Sequence, residues 1–90
     1  MTEFRLRHDG LTWSDLGSEI VLLDLRTSKY FSMRGTAGFL VTEIAAGASP
    51  DTLVARLLDV YDTTEQTARR DVDAFLAQLR GHDLVENADA

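Results

Sequence analysis

The sequence predicts an α+β fold, a three-stranded antiparallel β-meander followed by three α-helices, winged-helix-like in outline. Three observations carry that prediction. Apolar residues recur with period two as far as Met33, and the period lengthens to near 3.6 from Gly35 onward. Helix-start signals stand at Ser49-Pro50 and at Thr63, inside the second stretch. Ninety residues make one domain, 1–90, with 86–90 expected as a flexible tail.

The strands come first. Phe4 and Leu6 alternate with Arg5 and Arg7 up to the Asp9-Gly10 turn signal. Leu11, Trp13 and Leu16 continue with apolar spacing to a second break at Gly17. The strongest strand is Glu19-Ile-Val-Leu-Leu-Asp-Leu25, with Ile20, Leu22 and Asp24 on one face and Val21, Leu23 and Leu25 on the other. Apolar residues on both faces place it in the middle of a sheet. Arg26-Thr-Ser-Lys29 then reverses the chain into Tyr30-Phe-Ser-Met33. An even-numbered loop pairs Leu25 with Tyr30 and Leu22 with Met33, which groups Tyr30 with Leu23 and Leu25, and Phe31 and Met33 with Ile20 and Leu22. An odd loop reverses that grouping, and periodicity alone leaves open which face is core.

The helices follow. Ala37, Leu40, Val41 and Ile44 form the stripe of the first, closed by Gly47. Ser49 caps the second with Pro50 at its first position, and Leu53, Val54, Leu57, Leu58 and Tyr61 are its expected buried face. Thr63 and Gln66 have capping-box spacing at the start of the third, with Glu65 at the positive end of its dipole. Its stripe is Ala68, Val72, Phe75 and Leu79, with Leu76 on the flank; Gly81 ends it and Leu84-Val85 folds back onto it.

Composition excludes several functions. With 44% hydrophobic and 27% charged residues the chain is of the ordinary globular class. Its 15 acids against 9 bases, net −6, argue against a nucleic-acid partner, since phosphate binding relies on clustered Lys and Arg. The absence of cysteine removes disulfides and thiolate metal sites. No signal peptide and no apolar run near the roughly 20 residues of a membrane span is visible, so a cytoplasmic protein with no membrane partner is expected.

Catalytic chemistry is not evident. His8 and His82 each neighbour an aspartate, a pairing that can orient an imidazole, yet both lie at element ends where exposed polar residues are ordinary. Asp71 and Asp73 are two apart on a helix and point to nearly opposite sides, and Glu86 with Asp89 reads as a solvated tail. The serines occupy no nucleophile elbow and the six glycines are scattered singly, which leaves no phosphate loop. No catalytic residue, metal or cofactor is predicted. Trp13, Tyr30 and Phe31 read either as core or as binding anchors. As the last strand of a meander, Tyr30–Met33 lies at a sheet edge that only Lys29 and Arg34 guard. An open edge beside an amphipathic helix suits β-augmentation by an extended peptide.

The run Glu19-Ile-Val-Leu-Leu-Asp-Leu-Arg-Thr-Ser-Lys-Tyr-Phe-Ser-Met33, followed by Gly35-Thr-Ala-Gly-Phe-Leu-Val-Thr-Glu-Ile44, resembles the PqqD-like family. Its members are called RiPP recognition elements and serve the biosynthesis of ribosomally made, post-translationally modified peptides. The resemblance extends from Glu3 to Val85 and is most specific in the hairpin Leu23–Phe31 and at Thr36-Ala-Gly38. Met33-Arg34 stands where relatives often carry Leu-Asn, and Val41 where many carry tryptophan. A free-standing chain of this length looks most like the recognition proteins of lasso-peptide clusters.

The resemblance implies a winged-helix-like fold in which a precursor's leader peptide adds as a strand to the third β-strand, against the third helix. Carried onto this chain, Lys29, Tyr30, Phe31, Ser32 and Met33 offer the edge, and Tyr30, Phe31 or Met33 the pockets. Arg69, Val72, Asp73 and Leu76 are the expected second wall, with the opposite flank, Ala68, Asp71, Phe75 and Gln78, as the alternative. The implied partners are the leader peptide, a separate leader peptidase of cysteine-protease type and a cyclase, with the adaptor itself non-catalytic. Three alternatives stand beside this: the PqqD chaperone of pyrroloquinoline quinone biosynthesis, a winged-helix DNA-binding protein, and an accessory subunit whose open edge pairs with another protein.

Overall fold

A computed structural model describes residues 3–88. Element order is β1 (Phe4–Leu6), β2 (Leu11–Asp15), β3 (Glu19–Asp24), β4 (Lys29–Arg34), α1 (Gly35–Ala45), α2 (Pro50–Val60), α3 (Glu65–Gly81) and β5 (Val85–Asn87). β2, β3 and β4 form the expected antiparallel meander with β3 in the centre. The Asp9-Gly10 break separates two sheets: β1 leaves the meander and pairs with β5. Glu86 and Asn87 therefore belong to a strand where a tail from residue 86 was expected, and Asp89 lies outside the described residues.

The β3–β4 hairpin closes with a four-residue loop, Leu25–Ser28, between the paired residues Asp24 and Lys29. Leu22 consequently faces Phe31 and Leu23 faces Tyr30, two residues away from the expected register that pairs Leu25 with Tyr30 across a loop of the same length. The faces are as an even loop requires, because a shift of two preserves them. The loop is built by Asp24, whose carboxylate accepts from the Arg26 N–H (3.0 Å) while its carbonyl accepts from the Ser28 N–H (2.8 Å). Ser28 takes a left-handed conformation to close the turn.

The core lies between the inner face of the meander, β1, β5 and the three helices. Leu22, Val41, Ile44, Leu53 and Leu84 are fully enclosed. Gly38 lets α1 approach the end of β4: a Cβ there would lie 2.9 Å from the Met33 carbonyl oxygen. Gly47, with positive φ, follows the Ala46 C-cap of α1, and the Ser49 hydroxyl accepts from the Thr52 N–H to cap α2 as expected. Leu58 and Tyr61 are exposed, so the buried face of α2 is the narrower Leu53, Val54 and Leu57. The α3 cap is Thr64, one residue later than expected; its hydroxyl accepts from the Thr67 N–H.

One buried ion pair joins the two sheets. Arg7 donates to Asp24 through Nη2 (2.8 Å) and Nη1 (3.4 Å), and its remaining donors reach the carbonyls of Asp9, Gly10 and Asp83. Asp24 is the polar member of the inner face of β3, and this guanidinium is what makes its burial tolerable. Among the described residues, no buried side-chain nitrogen or oxygen lacks a partner.

Candidate peptide-binding site

Among the described residues β4 is an edge strand, paired with β3 on one side only, so half of its backbone N–H and C=O groups face outward along Lys29–Arg34. Period-two alternation divides its side chains. Tyr30 (72% exposed) and Ser32 join the outer face, where the Ser32 hydroxyl donates to Glu19 and Arg34 pairs with the same carboxylate at 3.1 Å. Those two hydrogen bonds hold the Glu19 carboxyl below its ordinary pKa. Phe31 and Met33 point the other way, half-buried, towards α3.

Beside that edge runs a groove made of two adjoining depressions of about 260 and 290 Å³. Phe31, Met33, Leu79, His82 and Leu84 line the first; Thr36, Leu40, Asp71 and Ala74 line the second; Ala37, Phe75 and Gln78 belong to both. The β4 side is therefore apolar, and α3 supplies an aromatic, an amide and one carboxylate. The His82 ring lies 5.0 Å from that of Phe31 and closes one end. The arrangement offers main-chain pairing along β4 and an apolar trough for alternate side chains of an extended segment.

The structure thus brings Lys29, Tyr30, Phe31, Ser32 and Met33 to the edge but does not bring the expected second wall there. Val72 and Leu76 are 1% and 2% exposed, enclosed in the core. Arg69 reaches away to Asp51 of α2 at 2.9 Å, and Asp73 shares the far flank with Glu65, Gln66 and Arg70. The alternative flank, Asp71, Phe75 and Gln78, borders the groove, with Ala68 buried. The stripe assignment failed because it took Phe75 as core and Leu76 as flank. Val72 and Leu76 are buried, α2 packs against α3 and Asp51 of α2 pairs with Arg69, while Phe75 is left half-exposed. His82 and Leu84, beyond the helix, carried no signal beyond their nearness to its end.

No group of three or more His, Cys, Asp or Glu among the described residues is arranged to hold a metal ion, and none of their helices is long and apolar enough to cross a membrane. The class of molecule this geometry defines is a small α+β domain with an open strand beside an apolar trough. The family model described as coenzyme PQQ synthesis protein D (PqqD) matches residues 19–85, and the chain belongs to that PqqD-like family, the RiPP recognition elements. Two solved structures are similar throughout. "TbiB1 in Complex with the TbiA(beta) Leader Peptide" has a TM-score of 0.85 and 26% identity, covering 91% of this chain and 94% of the other. "Lasso peptide synthetase B1 complexed with the leader peptide" has a TM-score of 0.82 and 28% identity, covering 92% and 96%. No curated protein matches the chain in sequence.

Proposed function

We propose that this chain is a non-catalytic adaptor. It captures the leader segment of a ribosomally synthesised precursor, of the lasso-peptide kind, by strand addition to β4, and presents it to a separate leader peptidase and a cyclase. The carrying observation is the unpartnered β4 edge beside an apolar trough, in a chain whose fold matches two B1 proteins bound to leader peptides over nine-tenths of both lengths. The action is positional: backbone pairing gives sequence-tolerant affinity, the trough discriminates among leaders, and tethering raises the precursor's effective concentration at the enzyme. Phe31, Met33, Phe75 and Gln78 are the proposed contacts, in place of Arg69, Val72, Asp73 and Leu76.

Fluorescence anisotropy with the labelled leader of the precursor encoded beside this gene tests the reading, with a scrambled leader as control. Saturable binding at micromolar concentration or tighter is expected, lost on Phe75→Glu and on Ser32→Pro and retained on Arg69→Ala, each variant checked for an unchanged circular dichroism spectrum. No binding at tens of micromolar would overturn the reading. Loss on Arg69→Ala with retention on Phe75→Glu would move the site to the other flank. The quinone-cofactor chaperone shares the family and would use the same groove with a different leader, so titration with both leaders separates the two.

A further inference from the structure

Among the described residues the meander has a second open edge, and a groove of similar size to the one beside β4 lies next to it. β2 is paired, among the described residues, only with β3. Between β2, the β2–β3 turn and α1 lie two depressions of about 410 and 160 Å³ that share Asp15, Ile20 and Thr42. Trp13 forms one wall. It faces Leu22 across the ladder and so belongs to the inner face of the sheet, yet it is 44% exposed. A tryptophan on the inner face would ordinarily be covered; here it shares a depression with Ile20 and with Val41, Thr42 and Ala45 of α1 and stays nearly half-exposed. Phe39, in edge contact with Tyr61 at 5.6 Å, supplies a second half-open aromatic at the far end.

The charge around this groove has one sign. Asp15, Glu19 and Glu43 line it, and no Lys or Arg does. Glu19 and Glu43 are offset by Arg34 and Arg56 from outside the lining, whereas Asp15 meets no cation among the described residues and accepts only the Gly17 N–H, at 2.8 Å. We propose that this groove is a second docking site. Its occupant is an extended segment of a partner protein that pairs with the outer edge of β2. That segment sets an aliphatic or aromatic side chain against Trp13 and flanks it with Lys or Arg. A second copy of this chain is a poor occupant, because each copy would bring the same three carboxylates and a net charge of −6 to the contact. The two open strands, β2 and β4, are opposite edges of one three-stranded sheet, roughly 10 Å apart at the usual strand spacing, while the grooves meet at Met33, which lines both. One chain can therefore hold two extended segments at once. The proposal does not depend on leader binding at β4.

Trp13 is the only tryptophan and is its own reporter. The full chain would be titrated with a nine-residue peptide alternating arginine with valine and phenylalanine, and with the same peptide carrying glutamate for arginine. A saturable blue shift of Trp13 emission is expected with the basic peptide alone. Glu43→Lys, on the half-buried rim, should weaken it at least tenfold with an unchanged circular dichroism spectrum. Amide chemical-shift changes confined to β2 and α1 would place the contact. No emission change up to millimolar peptide, an equal response to the acidic peptide, or indifference to Glu43→Lys would overturn the proposal. A concentration-dependent dimer in sedimentation that the basic peptide disperses would also overturn it, by assigning the edge to a second copy.

Discussion

Asp24 shows how much one residue decides here. Alternation places it on the same face of β3 as Ile20 and Leu22, and that face proves to be the core, so a carboxylate is buried at 3% exposure. Hydrogen bonds from Arg7, ahead of the Arg26 N–H, hold its pKa down to about 2 from an ordinary 3.8. A group with a depressed folded pKa stabilises the fold above its unfolded value and loses that contribution as pH falls through the folded one. The stability that depends on this pair is thus present at neutral pH and should vanish from about pH 4 to about pH 2. Urea midpoints should show Asp24→Asn well below wild type at pH 7, because Arg7 is left buried without a counter-ion, with the gap closing towards pH 2. A pH-independent gap would mean that packing, not charge, sets the loss.

Gly38 is decisive in the opposite way, by what it lacks. An added methyl would meet the Met33 carbonyl oxygen at 2.9 Å, where backbone cannot yield cheaply. Overpacking of that kind costs about 1–3 kcal/mol, against a helix-propensity gain of about 1 kcal/mol over glycine. Gly38→Ala should therefore lower stability by roughly 1 kcal/mol in urea denaturation. Gly81, also helical, has nothing within 4 Å of an added Cβ, and Gly81→Ala should be neutral or mildly stabilising. Sequence alone treats the two alike, since the neighbour that separates them comes from another element.

At the scale of elements, strands and helices were legible where the signal is local. Ser49-Pro50 announces α2 because the cap and the fixed proline φ are properties of two adjacent residues. The capping-box spacing of Thr63 with Gln66 points one residue too early; Thr64, at φ −101° and ψ 159°, is extended and its hydroxyl accepts the Thr67 N–H although no Glu or Gln stands three residues on. Thr64→Ala should thus cost about 1 kcal/mol, and Thr63→Ala a few tenths at most, in thermal or urea unfolding. Equal losses would return the cap to Thr63. The division between two sheets was not legible, because β1 finds β5 across eighty residues and no local pattern announces such a pairing. The same limit explains the site. Lys29–Met33 could be named from alternation and an absent guard, whereas the helix flank opposite it depends on which side of α3 meets α2.

For the whole molecule, the proposed function follows from incompleteness. Among the described residues, a sheet of three strands with two free edges leaves backbone groups that a larger sheet would pair. A leader that adds a strand to β4 binds the folded state alone, because the edge and the trough exist only when β3, β4 and α3 are assembled. Its binding must then stabilise the fold by mass action, by about 2.7 kcal/mol at a free concentration one hundred times its Kd. In a domain of this size each kcal/mol moves the midpoint by roughly 4–8 °C, so a rise of roughly 10–20 °C is expected in a thermal melt with saturating leader. The Phe75→Glu variant should melt without that rise, while Arg69→Ala should retain it in full. A leader that binds by anisotropy yet leaves the midpoint unmoved would be engaging residues equally available in the unfolded chain, and strand addition to β4 would then be the wrong description of the contact.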